Sequence, residues 1–206
     1  HFGSVLKYSQ DSKVKTYDIG SDVKNSIAVR HQGLSGQVAY NWNYRYFVNF
    51  NFGYTGSENF ATNHRFGFFP AVSAAWNIAE EPFIKNKLKW MNMFKVRYSW
   101  GRVGNDVGGE RFPFLYDIAD VSAGYNWGDF NFSKEYSGKN FSKVASTGVT
   151  WEIATKHDLG LDLSLFNDRF TMTIDYFHEQ RNGIFVAREH LPLMVGLTSN
   201  PQANVG

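Results

Sequence analysis

The chain has 206 residues with 21 Lys+Arg against 19 Asp+Glu, no cysteine, and 19 Phe, 11 Tyr and 6 Trp. This composition excludes disulfide frameworks, zinc–thiolate sites and cysteine nucleophiles, and without a Lys/Arg run it carries no nucleic-acid footprint. Mean hydropathy is −0.38 and no run approaches the ~18 apolar residues of a membrane helix, which leaves a membrane open because a barrel strand is polar at every second position. The chain opens at His1-Phe2-Gly3, without Met or the basic and apolar stretches of a signal peptide. It reads as an internal segment of something longer, or as a processed product.

Residues 1–36 are weakly patterned. Val5-Leu6-Lys7-Tyr8 and Ile27-Ala28-Val29-Arg30 suggest short strands around an exposed loop, so 1–36 is expected to be an external loop with partial strands. From Gln37 the alternation is clear. Val38, Tyr40 and Trp42 share one face, a turn around residues 43–45 follows, and Tyr46, Val48, Phe50, Phe52 and Tyr54 then face away from Asn49, Asn51 and Gly53. Residues 57–64 end that strand. Phe66, Phe68, Val72, Ala74 and Trp76 continue the apolar parity, with Pro70 expected to mark a bulge or strand end. Glu80-Glu81-Pro82 stops the strand, and residues 83–92 form a connector with a helical turn expected over 84–88.

Phe94, Val96, Tyr98 and Trp100 then oppose Lys95, Arg97 and Ser99. Charges at every second position favour a water-filled lumen over a sandwich core. Residues 105–146 lose the period and read as a long loop, of the kind that is usually functional. Trp151 to Phe166 carries Leu159, Leu161, Leu163 and Leu165 on one face and Asp158, Gly160, Asp162 and Ser164 on the other. After Asn167-Asp168-Arg169, Phe170, Met172, Ile174 and Tyr176 repeat the pattern against Thr171, Thr173 and Asp175, a β-hairpin signature. Its first arm could run ~16 residues, against ~5–6 for soluble strands, and ~9–11 suffice to cross a bilayer. The fold class is therefore all-β, an antiparallel transmembrane β-barrel fragment of about six long strands, with 37–188 as barrel and 189–206 as the start of a truncated external loop. Six strands cannot close a membrane barrel, whose minimum is ~8. Short periplasmic and longer external connections place residues 43–45, 80–92 and 167–169 on one side, and 57–64, 105–146 and 186–206 on the other.

Catalytic patterns are not found. His178-Glu179 begins H-E-x-x-H, but position 182 is Asn. Gly101-Arg102-Val103-Gly104 lacks the Gly-Lys-Ser/Thr of a P-loop, and no G-x-S-x-G elbow occurs. Glu80-Glu81 reads as a solvated turn, because adjacent side chains of an extended segment point apart. The chain is read as a non-enzyme without a cofactor or metal.

Several blocks resemble one family. They are Tyr40-Asn41-Trp42-Asn43-Tyr44-Arg45-Tyr46; residues 65–76 followed by Ile78-Ala79-Glu80-Glu81-Pro82-Phe83; and Phe94-Lys95-Val96-Arg97-Tyr98-Ser99-Trp100-Gly101-Arg102-Val103-Gly104-Asn105. The series closes with Val149-Thr150-Trp151-Glu152, Gly160-Leu161-Asp162, Leu165-Phe166-Asn167-Asp168-Arg169 and Ile174-Asp175-Tyr176. Five blocks in order over residues 33–186 resemble the SusC/RagA-like TonB-dependent outer-membrane transporters of Bacteroidetes. Trp100, where Tyr is common, is a departure that leaves the family unaffected.

The resemblance implies a barrel of about 22 strands around an N-terminal plug, the plug and the TonB-contacting region lying outside this chain. It also implies a SusD-like surface lipoprotein as lid and TonB-driven uptake of oligosaccharide or peptide nutrients across the bacterial outer membrane. Asn49, Asn51, Lys95, Arg97, Asp162 and Asp175 are then lumen-facing candidates, their plain role being to line a wet interior and pair with the plug. Arg111, Tyr125, Trp127 and Tyr136 are candidates for contact with cargo or lid, since loops often carry function and aromatic rings suit sugars or peptides. The alternative reading is a soluble, secreted all-β carbohydrate-binding module, with shorter strands and no charged row opposite an apolar one.

Overall fold

The computed structural model describes residues 1–14, 27–106, 111–126, 135–188, 200 and 202–206. In chain order the strands are β1 (Phe2–Lys13), β2 (Val29–Trp42), β3 (Tyr46–Ser57), β4 (Phe66–Asn77), β5 (Met91–Asn105), β6 (Asp117–Asn126) and β7 (Glu135–Lys143). They continue as β8 (Glu152–Leu165), β9 (Phe170–Asn182), β10 (Phe185–Ala187) and β11 (Gln202–Asn204). Seven of them form one antiparallel sheet in the order β1-β2-β3-β4-β5-β8-β9. Its strands are 12 to 15 residues long, long enough for a tilted bilayer crossing. No helix among the described residues is long and apolar enough to cross a membrane, and crossing falls to the strands.

Burial is inverted relative to a soluble sheet. Val48, Phe50, Tyr54, Phe68 and Trp76 are exposed, whereas Asn49, Asn51, Ser73 and Ala75 on the opposite face are half-buried. The register keeps the apolar row continuous across five strands, through Val38, Phe50, Val72, Trp100 and His157. Such an array is stable only against hydrocarbon. The soluble-module alternative fails on this point. Tyr46 and Tyr54 are eight residues apart, about 26 Å of strand, or about 20 Å along the membrane normal at a tilt of about 40°. The first ring stacks with Trp42 and Trp76, the second with Phe66, which places an aromatic belt at each edge of the apolar band.

The turns explain the register. Asn43 and Tyr44 take positive φ, with Asn41 Oδ1 accepting from the Tyr44 amide at 3.0 Å. Phe166, Asn167 and Asp168 do the same in the second turn, where the Asp168 carboxylate pairs with the Ser164 hydroxyl. Side-chain bonding of this kind offsets the cost of left-handed backbone at non-glycine residues. Pro70 lies inside β4. The ladder to β3 runs past it to Phe66, but the ladder to β5 stops at Ala71↔Gly101. The missing N–H thus falls on the β5 side, and β5 leaves β4 there.

Two expectations need correction. Residues 1–36 are not a loop with short strands: β1 has 12 residues and β2 starts at Val29, so position 37 marks no boundary. Ser4, Gln10 and Ser12 interrupt the apolar parity, and backbone pairing carries these strands where side-chain pattern does not. Residues 105–146 hold a separate ribbon, β6 paired with β7, with register shifts after Asp117 and Val121 that break any regular alternation. The helical turn over 84–88 is present, its Leu88 amide donating to the Ile84 carbonyl at 2.8 Å, and it continues α1 (Pro82–Lys85), where Pro82 occupies a favoured first-turn position. Of residues 189–206, Gln202–Asn204 pairs with β10, and 189–199 and 201 lie outside the described residues.

The turn edge is joined through one carboxylate. Glu81 is buried; its Oε1 accepts from the Tyr46 hydroxyl at 2.6 Å and from Trp76 Nε1 at 3.1 Å, and Arg45 stands 3.8 Å from Oε2. The reading of Glu80-Glu81 as a solvated turn therefore holds only for Glu80, which pairs with Lys85 at 2.7 Å. The Tyr46 bond, then the Trp76 bond, then the Arg45 charge, hold the Glu81 carboxyl below its ordinary value.

Two outcomes are expected. Leu161→Arg, midway along β8 on the lipid row, costs about 2–4 kcal/mol near the midplane, read as lost heat-modifiable barrel in the outer membrane; full yield would reverse the facing of the row. For Glu81, a lowered native pKa stabilises above the ordinary carboxylate range and is lost as pH falls through the lowered value. Glu81→Gln therefore melts below wild type at neutral pH, and the gap closes on acidification; a pH-independent gap would remove the carboxylate from this role.

Candidate functional site

On the face opposite the apolar row, Arg97 of β5, Gly160 of β8 and Asp175 of β9 fall on one rung. Arg97 arches across Gly160, its Nη2 donating to Asp175 Oδ1 at 2.6 Å while Nε lies 3.2 Å from Asp162 Oδ2. Thr173 Oγ1 donates to the other Asp162 oxygen at 3.2 Å. The glycine is required by this crossing, since a Cβ there would lie 2.5 Å from Arg97 Nε. Lys95 Nζ sits 4.7 Å above the Phe47 ring, a cation–π contact. Phe47, Asn49, Ser73, Lys95, Arg97 and Asp158 line a shallow hollow of about 270 Å³.

Further out on the same face, Glu179 is 3.2 Å from Lys156 and 2.6 Å from Arg181, which reaches Glu152 at 3.8 Å. The wall thus largely neutralises its own charges strand to strand. The structure brings Arg97, Asp162 and Asp175 into direct contact, puts Lys95 and Asn49 beside them, and sets Asn51 one rung outward, opposite Ala71. All six lie on the face opposite the apolar row; the Arg97–Asp175 pairing across an intervening glycine was not predictable, because it depends on β5 and β8 meeting over a long insertion.

The outer edge carries contacts that sequence reading missed. His31 Nε2 lies 3.1 Å from Asp106 Oδ2, and the Ser57 hydroxyl donates to the same oxygen at 2.8 Å. Asp106 follows β5, so after leaving β4 this segment reaches inward as far as β2 and β3. Beneath it, Phe60 and Val149 are buried against Trp151 and Phe185, with Phe69 edge-on to Trp151 at 5.2 Å. Asn204 closes the layer, donating to the carbonyls of Thr150 and Gly183 at 2.9 and 2.6 Å and accepting from the Thr150 amide at 2.9 Å. Nothing in the sequence pattern marked this small core, since its members Phe60, Val149, Trp151 and Phe185 come from separate segments of the chain.

Arg111 anchors loop to loop. Its Nη2 donates to the Ile27 carbonyl at 2.7 Å and lies 3.8 Å from Glu58, and the guanidinium covers the Phe112 ring at 4.9 Å. Tyr125 of β6 and Tyr136 of β7 are backbone partners in the ribbon, but their side chains, and Trp127 entirely, lie outside the described residues.

A long-stranded sheet with one hydrocarbon-facing row and one ion-paired row is the wall of a multi-pass outer-membrane β-barrel. The family model described as "TonB dependent receptor-like, beta-barrel" matches residues 2–206, and the chain belongs to that family. It is 31% identical over 171 residues to TonB-dependent receptor P3 of Formosa agariphila, covering 83% of this chain and 16% of the relative. It is 29% identical over 175 residues to TonB-dependent receptor SusC of Bacteroides thetaiotaomicron, covering 83% and 17%. A solved structure described as "Structure of the RagAB peptide transporter" superimposes with a TM-score of 0.70 at 18% identity, covering 87% of this chain and 18% of that one. The chain is thus a SusC/RagA-like barrel segment in the outer membrane, and it spans about a sixth of the length of the curated relatives it matches. The family is one of receptors and transporters.

Gly160→Val is expected to push Arg97 off its two carboxylates and cost about 1–3 kcal/mol, as overpacking does. Urea unfolding of the refolded full-length barrel measures it, and a neutral result would mean that the arginine has another seat.

Proposed function

We propose that this chain is a wall segment of a TonB-dependent importer that takes up oligosaccharide or peptide nutrients, working with a SusD-like surface lipoprotein over its mouth and with TonB acting through a region outside this segment. The observation that carries the reading is the back-to-back arrangement of the wall. The apolar row faces lipid, and Arg97, Asp162 and Asp175 form an ion-paired strip facing inward, with Lys95 held over the Phe47 ring beside it. A cargo with many hydroxyl or amide groups can slide along such a strip, whose arginine and two aspartates already pair with one another, since conduction needs binding weak enough to release. Family membership supports TonB coupling, and the peptide named for the RagAB structure and the relation to SusC support the cargo and lid.

The lumen residues act here through solvation and shape, with no covalent step. Asn49 and Asn51 offer amide donors and acceptors beside the ion-paired strip. At the outer edge, Arg111 is engaged within the chain, so it organises the loops. The loop sequence that carries Tyr125, Trp127 and Tyr136 is left as the part best suited to contact cargo or lid.

The test is growth of a strain lacking the full-length protein on panels of oligosaccharides and peptides as sole nutrient. Loss on at least one, restored by a plasmid-borne copy but not in a TonB-deficient background, is expected. Unimpaired growth on every member, with unchanged uptake of labelled cargo, would overturn the nutrient-importer reading.

A further inference from the structure

Across β5, β8 and β9 the lipid-facing row is arranged in rungs. From the turn edge outward these are Phe94–Leu163–Met172, Val96–Leu161–Ile174, Tyr98–Leu159–Tyr176, Trp100–His157–His178 and Arg102–Thr155–Gln180. Three rungs are apolar or aromatic, the next holds a tryptophan with two histidines, and the last holds a guanidinium, a hydroxyl and an amide. The pieces touch. Arg102 Cζ lies 5.9 Å from the Trp100 ring, Tyr98 Oη is 2.9 Å from His157 Nδ1, and the His157 and His178 rings are 6.4 Å apart. Among the described residues of this row on the seven strands there is no carboxylate; its two formal cations, Arg30 and Arg102, both lie at the outer end. Every acidic strand residue of the sheet is on the opposite side, where Asp11, Glu152, Asp162, Asp175 and Glu179 face basic partners.

We propose that this outer patch of β5, β8 and β9 docks the phosphorylated headgroup of an outer-leaflet lipid. The chemistry fits on three counts. Arg102 and the ring nitrogens of His157 and His178 are donors without a carboxylate competitor on their face, and a guanidinium is the geometric match for phosphate oxygens. The Tyr98 hydroxyl and His157 Nδ1 share a hydrogen bond at 2.9 Å, with the roles set by the tautomer, and the tautomer with Nδ1 as acceptor presents an Nε2–H donor. Below them, the Tyr98, Leu159, Tyr176 and Leu161 surface continues without a step into the apolar band, so acyl chains and headgroup can be bound by one continuous strip. Cargo in transit meets the other face of these strands, so the patch serves anchorage or barrel stability and is independent of the import reading.

The test uses the full-length barrel, purified in detergent and mixed with equal amounts of phosphatidic acid and phosphatidylcholine, with retained lipid counted by native mass spectrometry. Wild type is expected to retain phosphatidic acid in preference. Arg102→Gln should lower that preference about fivefold, the effect of one basic side chain near a lipid surface, and the combined Arg102→Gln, His157→Gln, His178→Gln variant should abolish it. Lys13→Gln, which removes the same charge from the lumen face of β1, should leave it intact. Heat-modifiable mobility reports folding for each variant, and the single Arg102→Gln result decides if the triple variant does not fold. An unchanged preference in Arg102→Gln, or an equal loss in Lys13→Gln, would overturn the proposal.

Discussion

The lack of water in the hydrocarbon layer is the constraint from which the rest of this structure follows. A backbone amide or carbonyl left unpaired there costs several kcal/mol, so every strand must be bonded on both edges for the full depth of the membrane. That requirement sets strands of 12 to 15 residues and sends chain reversal to the two edges. It also explains why β1, with a poor side-chain pattern, is as regular as its neighbours: twelve consecutive register pairs with β2 hold it.

Once pairing is satisfied by the backbone, the side chains are free to divide by face. The lipid side needs bulk and no charge, and leucine, valine and aromatic rings supply it. The lumen side needs polarity without stray charge, and the Arg97–Asp162–Asp175 group meets that need because Gly160 gives the arginine room to cross a strand. At the turn edge Glu81 gathers donors from two strands and a connector, so the aromatic belt there is bonded as well as stacked. At the outer edge the same logic no longer applies, since water is present. There the chain builds a small conventional core around Phe60, Val149 and Trp151 and leans inward through Asp106.

This division of labour bears on function. The wall strands supply the membrane seal through one continuous sheet, while the β6–β7 ribbon pairs only with itself and lies outside that ladder. Fold is shared across the family at identities near 18%, which is what a wall built on backbone pairing and face polarity permits.

The strands from Gln37 to Trp76, from Phe94 to Trp100 and from Trp151 to Tyr176 were legible in the sequence alone, because alternation at period two is imposed residue by residue by the contrast between lipid and water. The shared parity of Asn49, Asn51, Lys95, Arg97, Asp162 and Asp175, opposite the apolar row, followed from the same alternation, and the family from the order of its blocks. Only the tertiary structure decided which of these residues meet. That β5 pairs with β8 over an insertion of more than forty residues, that Arg97 reaches past β8 to Asp175, that His31 meets Asp106, and that Glu81 is buried among Tyr46 and Trp76 are all consequences of strand order and register. Those depend on contacts far apart in the chain, and no local pattern of residues records them.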